Sequence, residues 1–239
     1  MINSQTTTFI KQRVFIFNLG KRFIDITGSI LLLIVFGPIM VVTAFLVYRT
    51  SKTGIVSKYP KKDHKNDILH NIFFTQKRVG PNGEFMMYKF HSMYIADNDK
   101  YLKEEFPNLW EKYKKNDWKL SANEDPRITP IGRVIRATSI DELPQIINVL
   151  KGEMSLVGPR AYRDEELREY AAKYPETQKN IDIIRTAKPG ITGLWQISGR
   201  NELSFEKRAQ LDAKYIENRS LRQEIIILLK TPKAMLSSW

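Results

Sequence analysis

A chain of 239 residues without cysteine is long enough for one good core and has no access to disulfides or thiolate chemistry. Its formal charge of +12 sits at one end: residues 1–62 hold nine basic residues against one acid, Asp25, leaving only +4 for the rest. A nucleic-acid-binding domain carries such an excess on its folded body, so the placement argues against nucleic acid. It favours an anionic lipid surface, where each juxtamembrane Lys or Arg is worth about 1 kcal/mol. The three histidines (His64, His70, His91) lack zinc-site spacing, and neither a G-x-x-x-x-G-K-[ST] loop nor a G-x-G-x-x-G turn is present.

Residues 1–20 read as an N-terminal tail. Ile26–Tyr48 then runs without a charge. As one helix it would be about 34 Å long, enough to span a bilayer, and a single transmembrane anchor is one reading. Two features favour another. Pro38 removes a backbone donor and clashes with the preceding turn, which predicts a break near Gly37-Pro38. Basic residues also flank both ends, Lys21 and Arg22 before and Arg49 and Lys52 after, so the positive-inside rule wants both ends cytoplasmic. A re-entrant helix-break-helix over residues 21–50 meets both conditions, with Ser29, Thr43 or neighbouring protein satisfying the backbone freed at the bend.

Residues 51–239 read as one globular domain. Residues 71–93 predict strands around a tight Pro81-Asn82-Gly83 turn. Ala96–Asn116 predicts one or two surface helices, with Phe106, Leu109, Trp110 and Tyr113 at helical spacing. The next stretch is the most informative. Asp141-Glu142 are adjacent carboxylates within a run of guanidiniums, Arg127, Arg133 and Arg136 before them and Arg160 after. Such acids hold a metal or attack phosphorus, and arginine forks bind phosphate oxygens. A plainer reading competes: Ser139-x-x-Glu142 is also a capping box for the amphipathic run Leu143, Ile146, Ile147, Leu150. Both readings put the carboxylates at a helix N-terminus, whose dipole favours the ionised form. Asp164–Lys173 and Phe205–Asn218 read as helices, Lys188–Arg200 as a glycine-punctuated loop, and Leu221–Trp239 as either a core helix or an interfacial one. The fold class is α/β mixed, mostly helical, with a small sheet.

Lys21-Arg22-Phe23-x-Asp25, Arg78-Val79-Gly80, Tyr88-Lys89-Phe90, Asp125–Thr129, Ser139–Pro144, Asn148–Arg160 and Lys188–Arg200 together resemble the bacterial sugar transferases, monotopic polyprenyl-phosphate hexose-1-phosphate transferases. Ser198-Gly199-Arg200 and Leu211-Asp212-x-x-Tyr215 look most like the catalytic domain of the hexose branch, and the extra N-terminal membrane domain often found there is expected to be missing. The resemblance implies a re-entrant membrane helix bent at Gly37-Pro38, with the catalytic domain on the cytoplasmic face of the bacterial inner membrane. It implies a UDP-sugar donor, an undecaprenyl phosphate acceptor and a magnesium ion at Asp141 and Glu142. Asp141 would attack the phosphorus next to the sugar and hold the phosphosugar covalently, and Glu142 would organise the metal or activate the acceptor. Arg136, Arg160 and Arg200 match the family's phosphate-handling arginines; Arg127, Arg133 and Lys89 are assigned with them. Transfer of an N-acetylated amino-sugar phosphate and a non-enzymatic membrane-tethered scaffold are the alternatives, and self-association through the aromatic stretch 106–118 is left open. The chain departs from the family pattern at Gly37, where serine is usual, at His91, where Arg or Lys is usual, at Ala161, where a second proline is usual, and at Gln223. It also departs in the long basic segment Lys52–Asn71.

Overall fold

The computed structural model describes residues 4–50, 72–115, 120–199 and 203–236. In chain order the elements are α1 (Ser4–Thr50), β1 (Phe73–Gly80), β2 (Gly83–Phe90), α2 (Asn98–Glu105), α3 (Pro107–Lys115), α4 (Pro130–Ala137), α5 (Gln145–Lys151), β3 (Ser155–Val157), α6 (Asp164–Lys173), α7 (Gln178–Ile184), β4 (Gly190–Thr192), α8 (Phe205–Glu217) and α9 (Leu221–Leu236). The mixed, mostly helical class is as expected. The chain divides into two compact units, one of Met1–Val35, Gln76–Met87 and Gln145–Trp239, the other of Phe36–Thr75 and Tyr88–Pro144.

Helix α1 contributes to both units. Residues 4–20, read as a tail, are helical and continuous with it. The expected break at Gly37-Pro38 does not interrupt the helix either: α1 runs through Pro38. Proline removes one hydrogen bond from the ladder of a 47-residue helix, at a cost of about 3 kcal/mol. The intact turns on both sides carry the helix across. The Ser29 hydroxyl, expected to help at the bend, is buried and has no hydrogen-bond partner among the described residues. Much of the helix surface is apolar and exposed, including Phe23, Leu31, Ile34, Val41 and Phe45. It is the one helix among the described residues long and apolar enough to cross a membrane.

In the first unit, three polar residues tie the start of this apolar helix to the folded body. Arg22 donates to the carbonyls of Val149 (2.6 Å) and Leu150 (2.8 Å), both in the last turn of α5, where carbonyls lack intrahelical partners. Lys21 donates to the Val157 carbonyl at 2.8 Å and pairs with the buried carboxylate of Glu224 on α9. Asp25, 4% exposed, accepts from the Ser155 hydroxyl (2.8 Å) and the Leu156 backbone N–H (2.9 Å). Of these partners, Ser155, Leu156 and Val157 make up β3. That strand pairs in parallel with β4, Ser155 opposite Gly190 and Val157 opposite Thr192. The two segments approach so closely that a Cβ at Gly190 would stand 2.1 Å from the Gly158 nitrogen. No side chain fits there. The core beneath is Val157, Tyr162, Leu167, Ile181 and Phe205, with the Tyr170 ring stacked on Phe205 at 3.6 Å.

In the second unit, Met40, Ala44 and Val47 from the later part of α1 pack with Phe90 and Ile135. Ile72, Phe73 and Ile131 close this cluster, and Phe73 stacks on Phe90. Pro107 opens α3 directly after α2, which resolves the predicted one or two helices into two. The isolated bridge between Met93 and Ile128 leads into α4. Thr129 caps that helix by accepting from the Gly132 N–H at 2.9 Å, and Pro130 occupies its first position.

The Asp25 clamp yields a prediction. Asp25→Ala leaves a buried hydroxyl and a buried N–H without their acceptor, a loss of about 3 kcal/mol. Thermal unfolding of the purified chain in detergent should show a clear drop for Asp25→Ala and a smaller one for Asp25→Asn. Equal midpoints for all three would refute the clamp.

Candidate active site

The dyad sits on a turn that the neighbouring helices force. Helix α4 ends at Ala137, and Ser139 then takes the left-handed conformation at φ 55°, the one positive-φ residue other than glycine among those described. The chain next makes a single 3-10 turn, Ile140–Glu142, closed by the Leu143 N–H on the Ile140 carbonyl. Helix α5 begins only after Pro144. The expected capping box is therefore not formed: Ser139 makes no side-chain cap, because its left-handed backbone turns it away from a capping geometry. The carboxylates stand on the 3-10 turn, ahead of α5, and not in the first turn of an α-helix as expected.

Asp141 is buried, 9% exposed, while Glu142 is half-buried. Lys89, at the end of β2, reaches across to Glu142 with Nζ 2.6 Å from Oε1. Burial pushes the Asp141 carboxyl up to about 6; Lys89 and Arg136 pull it down, and the Glu142 charge pushes it up. The helix dipole was expected to favour the anion; burial works against it. Desolvation outweighs the dipole of a short turn. At neutral pH Asp141 is mostly ionised, yet it titrates close enough to neutrality to respond to a neighbouring charge. A buried carboxylate beside a lysine, an arginine and a second acid fits a nucleophile or a proton acceptor.

The other expected site residues fall into three groups. Arg136 belongs to the dyad's surroundings, and exposed Arg133 lies one turn earlier on α4. Arg127 serves the fold. Its Nε and one terminal nitrogen fork onto Asp125 at 2.9 and 2.8 Å, another nitrogen reaches Asp99, and the guanidinium lies 4.3 Å from the Tyr113 ring centre. At 4% exposure it has no free fork to offer a substrate. Arg160 belongs to the first unit, with its side chain about one-third exposed. Its guanidinium lies 5.5 Å from the Trp195 ring centre, and its backbone N–H donates to Asp212. Arg200 and the basic segment Lys52–Asn71 lie outside the described residues. His91, the departure near Lys89, sets its ring edge-on to Phe74.

Asp141 and Glu142 form no group of three potential ligands, and no such group exists among the described residues. Two carboxylates are too few for a cage made by protein alone. They suit a hard divalent ion that takes its remaining oxygens from a substrate's phosphates and water. Sequence reasoning missed the Lys89–Glu142 pair, since residues 53 apart carry no local signal. It also gave Asp212 no role. Burial raises that carboxyl to about 7, against the hydrogen bonds from Arg160 and Tyr162 and the charges of Arg160 and Arg208.

Known proteins resemble this chain over most of its length. The profile of the bacterial sugar transferase family matches residues 64–238. An undecaprenyl-phosphate galactose phosphotransferase of Salmonella typhimurium is 41% identical over 223 residues, covering 90% of this chain and 40% of that protein. An undecaprenyl-phosphate glucose phosphotransferase of Komagataeibacter xylinus is 35% identical over 221 residues, 90% of this chain and 35% of that one. An exopolysaccharide production protein of Sinorhizobium fredii is 34% identical over 220 residues and is covered to 85% of its own length. The chain thus spans well under half of each of the two phosphotransferases and most of the third protein. With the profile covering most of its length and relatives this similar, the chain belongs to the bacterial sugar transferase family.

Proposed function

We propose that this chain transfers a hexose-1-phosphate, from UDP-glucose or UDP-galactose, to undecaprenyl phosphate as a membrane step of surface polysaccharide assembly. The observation that carries this reading is Asp141, a buried carboxylate flanked by Glu142, Lys89 and Arg136, in a chain whose relatives are named for galactose and glucose phosphotransfer to undecaprenyl phosphate. An Oδ of Asp141 attacks the phosphorus bonded to the sugar, and the bond from that phosphorus to the bridging oxygen breaks. UMP leaves with the electron pair. A phosphate oxygen of undecaprenyl phosphate then attacks the same phosphorus, forming the lipid diphosphate and returning the carboxylate. Such a transfer depends on positioning and charge neutralisation more than on unusual side chains.

Lys89 and Arg136 lower the charge barrier to bringing a diphosphate up to an anionic nucleophile, and Arg160 contributes a fork to phosphate oxygens. Glu142, which pairs with Lys89 in this structure, and Asp141 would hold a magnesium ion together with the donor's phosphates. When bound, that ion supplies charge stabilisation to the transferring phosphoryl group. The lipid acceptor explains the apolar helix: α1, continuous through Pro38 in this structure, enters the membrane re-entrantly by a kink at that proline that leaves its other hydrogen bonds intact, and keeps both basic ends on the cytoplasmic face. Lys21 and Arg22 at one end and Arg49 at the other support that placement.

Membranes carrying the chain, mixed with magnesium, undecaprenyl phosphate and a panel of UDP-sugars, should release UMP with UDP-glucose or UDP-galactose. Asp141→Asn should lower turnover by about 10,000-fold or more. Full activity in that variant would leave a tethered scaffold as the better reading, and release only with an N-acetylated donor would change the sugar assigned.

The acid limb of kcat/KM should fall as pH drops through about 6, because protonation removes the nucleophile. Glu142→Gln removes a like charge and should move that limb to lower pH, whereas Lys89→Met removes an opposite charge and should move it higher. The same shift opposes folding: Asp141 binds its proton more tightly folded than unfolded, so stability is lost as pH rises through about 6. Asp141→Asn should therefore be inactive yet more stable than wild type at pH 8, by roughly 2–3 kcal/mol. A destabilised Asn variant contradicts the assigned burial.

The chain has no cysteine, so single cysteines at Asn18 and Thr50 report without background. Both should react with an impermeant maleimide only after the cells are opened. Labelling of one of them from outside intact cells would mean that α1 spans.

A further inference from the structure

Arg208 and Asp212 lie one turn apart on α8 and project from the same side of it. Phe205, on that side too, is buried against Tyr162 and Tyr170, so the face is turned into the first unit. Asp212 is fully buried. Its Oδ2 accepts the backbone N–H of Arg160 at 3.0 Å and the phenol of Tyr162 at 3.2 Å, while Oδ1 has no partner among the described residues. Arg160 lays its guanidinium 5.5 Å from the centre of the Trp195 ring, and Arg208 lays its own 5.6 Å from the same ring. Trp195 is 4% exposed, with its indole N–H unpartnered among the described residues.

Two guanidiniums lie against one indole; Asp212 offsets part of their charge, and Arg208 makes no ion pair among the described residues. The nearest carboxylate ion-paired with Arg160 is Glu166, 4.0 Å away, which Arg78 also approaches at 3.7 Å. Arg208 donates its Nε to the Leu203 carbonyl at 2.9 Å, leaving its terminal nitrogens without a hydrogen bond among the described residues. Asp212 is turned to the backbone and a phenol, so it holds Arg160 in place without occupying its fork. A pair of forks braced this way suits the oxygens of one phosphoryl group.

We infer that Arg208 is a second phosphate-binding guanidinium, joined with Arg160 against Trp195 in a subsite for a phosphoryl group, and that Asp212 is the positioning residue that aims Arg160. This rests on the reading of Arg160 as a phosphate-handling residue. The phosphoryl group belongs to the sugar-nucleotide donor or to the lipid acceptor, and kinetics separates them.

The full chain in detergent, as wild type, Arg208→Gln and Arg208→Lys, is assayed for UMP release with each substrate varied in turn. Arg208→Gln should raise the KM of one substrate by about 10- to 100-fold with a much smaller change in kcat. A rise in the UDP-sugar KM places the donor in the subsite, and a rise in the undecaprenyl phosphate KM places the acceptor. Arg208→Lys should recover only part, since an ammonium lacks the fork. Asp212→Ala should lower kcat/KM in the wild-type background and do so much less when Arg160 is already Ala. Unchanged KM values for both substrates, with a lowered melting temperature, would make Arg208 a fold residue and overturn the inference. Should the wild type turn over no donor, the transferase reading fails on its own. Binding then decides the subsite: a melting-temperature shift by UMP or by a short-chain polyprenyl phosphate in wild type but not in Arg208→Gln supports it, and equal shifts in both proteins refute it.

Discussion

A long helix with an exposed apolar surface must be held to a polar, folded body, and Lys21, Arg22 and Asp25 do this in the first unit. Each solves a backbone problem as well as making a contact. Arg22 donates to two carbonyls in the last turn of α5, and Asp25 takes an N–H and a hydroxyl from β3. Lys21 joins the Val157 carbonyl to Glu224 on α9, whose other oxygen accepts from the Tyr215 phenol. Buried charges are tolerated because their hydrogen-bonding capacity is filled. The parallel pair β3–β4 is only three residues long per strand, too short to stand alone. It persists because the clamp on one side and the core on the other hold it.

Electrostatics separates the arginines that looked alike in the sequence. Arg127 faces a carboxylate two residues away and is buried with it, so its charge is neutralised within the fold. Burial in that pair raises the cost of losing either partner and makes the guanidinium unavailable to a ligand. Arg136 and Lys89 instead act on a carboxylate that burial alone would drive further towards its neutral form. The balance leaves Asp141 poised near neutrality, a state favouring a group that must be anionic to attack and is not so strongly stabilised that attack becomes costly. Arg160 stays partly exposed because its backbone, not its head, is what Asp212 holds.

Much of this was legible along the chain. The hairpin came from Pro81-Asn82-Gly83, whose Gly83 takes φ 104° as such a turn requires. The helices expected over 164–173 and 205–218 formed as Asp164–Lys173 and Phe205–Glu217, and the dyad came from two acids set among guanidiniums. The misreadings share one cause. Ser139-x-x-Glu142 satisfies the capping pattern, yet Ser139 takes a left-handed backbone and makes no side-chain cap. Pro38 satisfies the breaking rule, yet one missing hydrogen bond is small against a helix this long.

The order of residues by itself determined the apolar helix, the basic ends that flank it, the hairpin and the carboxylate pair, because each is written in neighbours a few positions apart. Tertiary structure alone decided which arginine is neutralised, which stays open, where Lys89 meets Glu142 and how far burial moves the Asp141 proton. Those outcomes depend on groups distant along the chain and on exclusion of water, and neither has a local pattern.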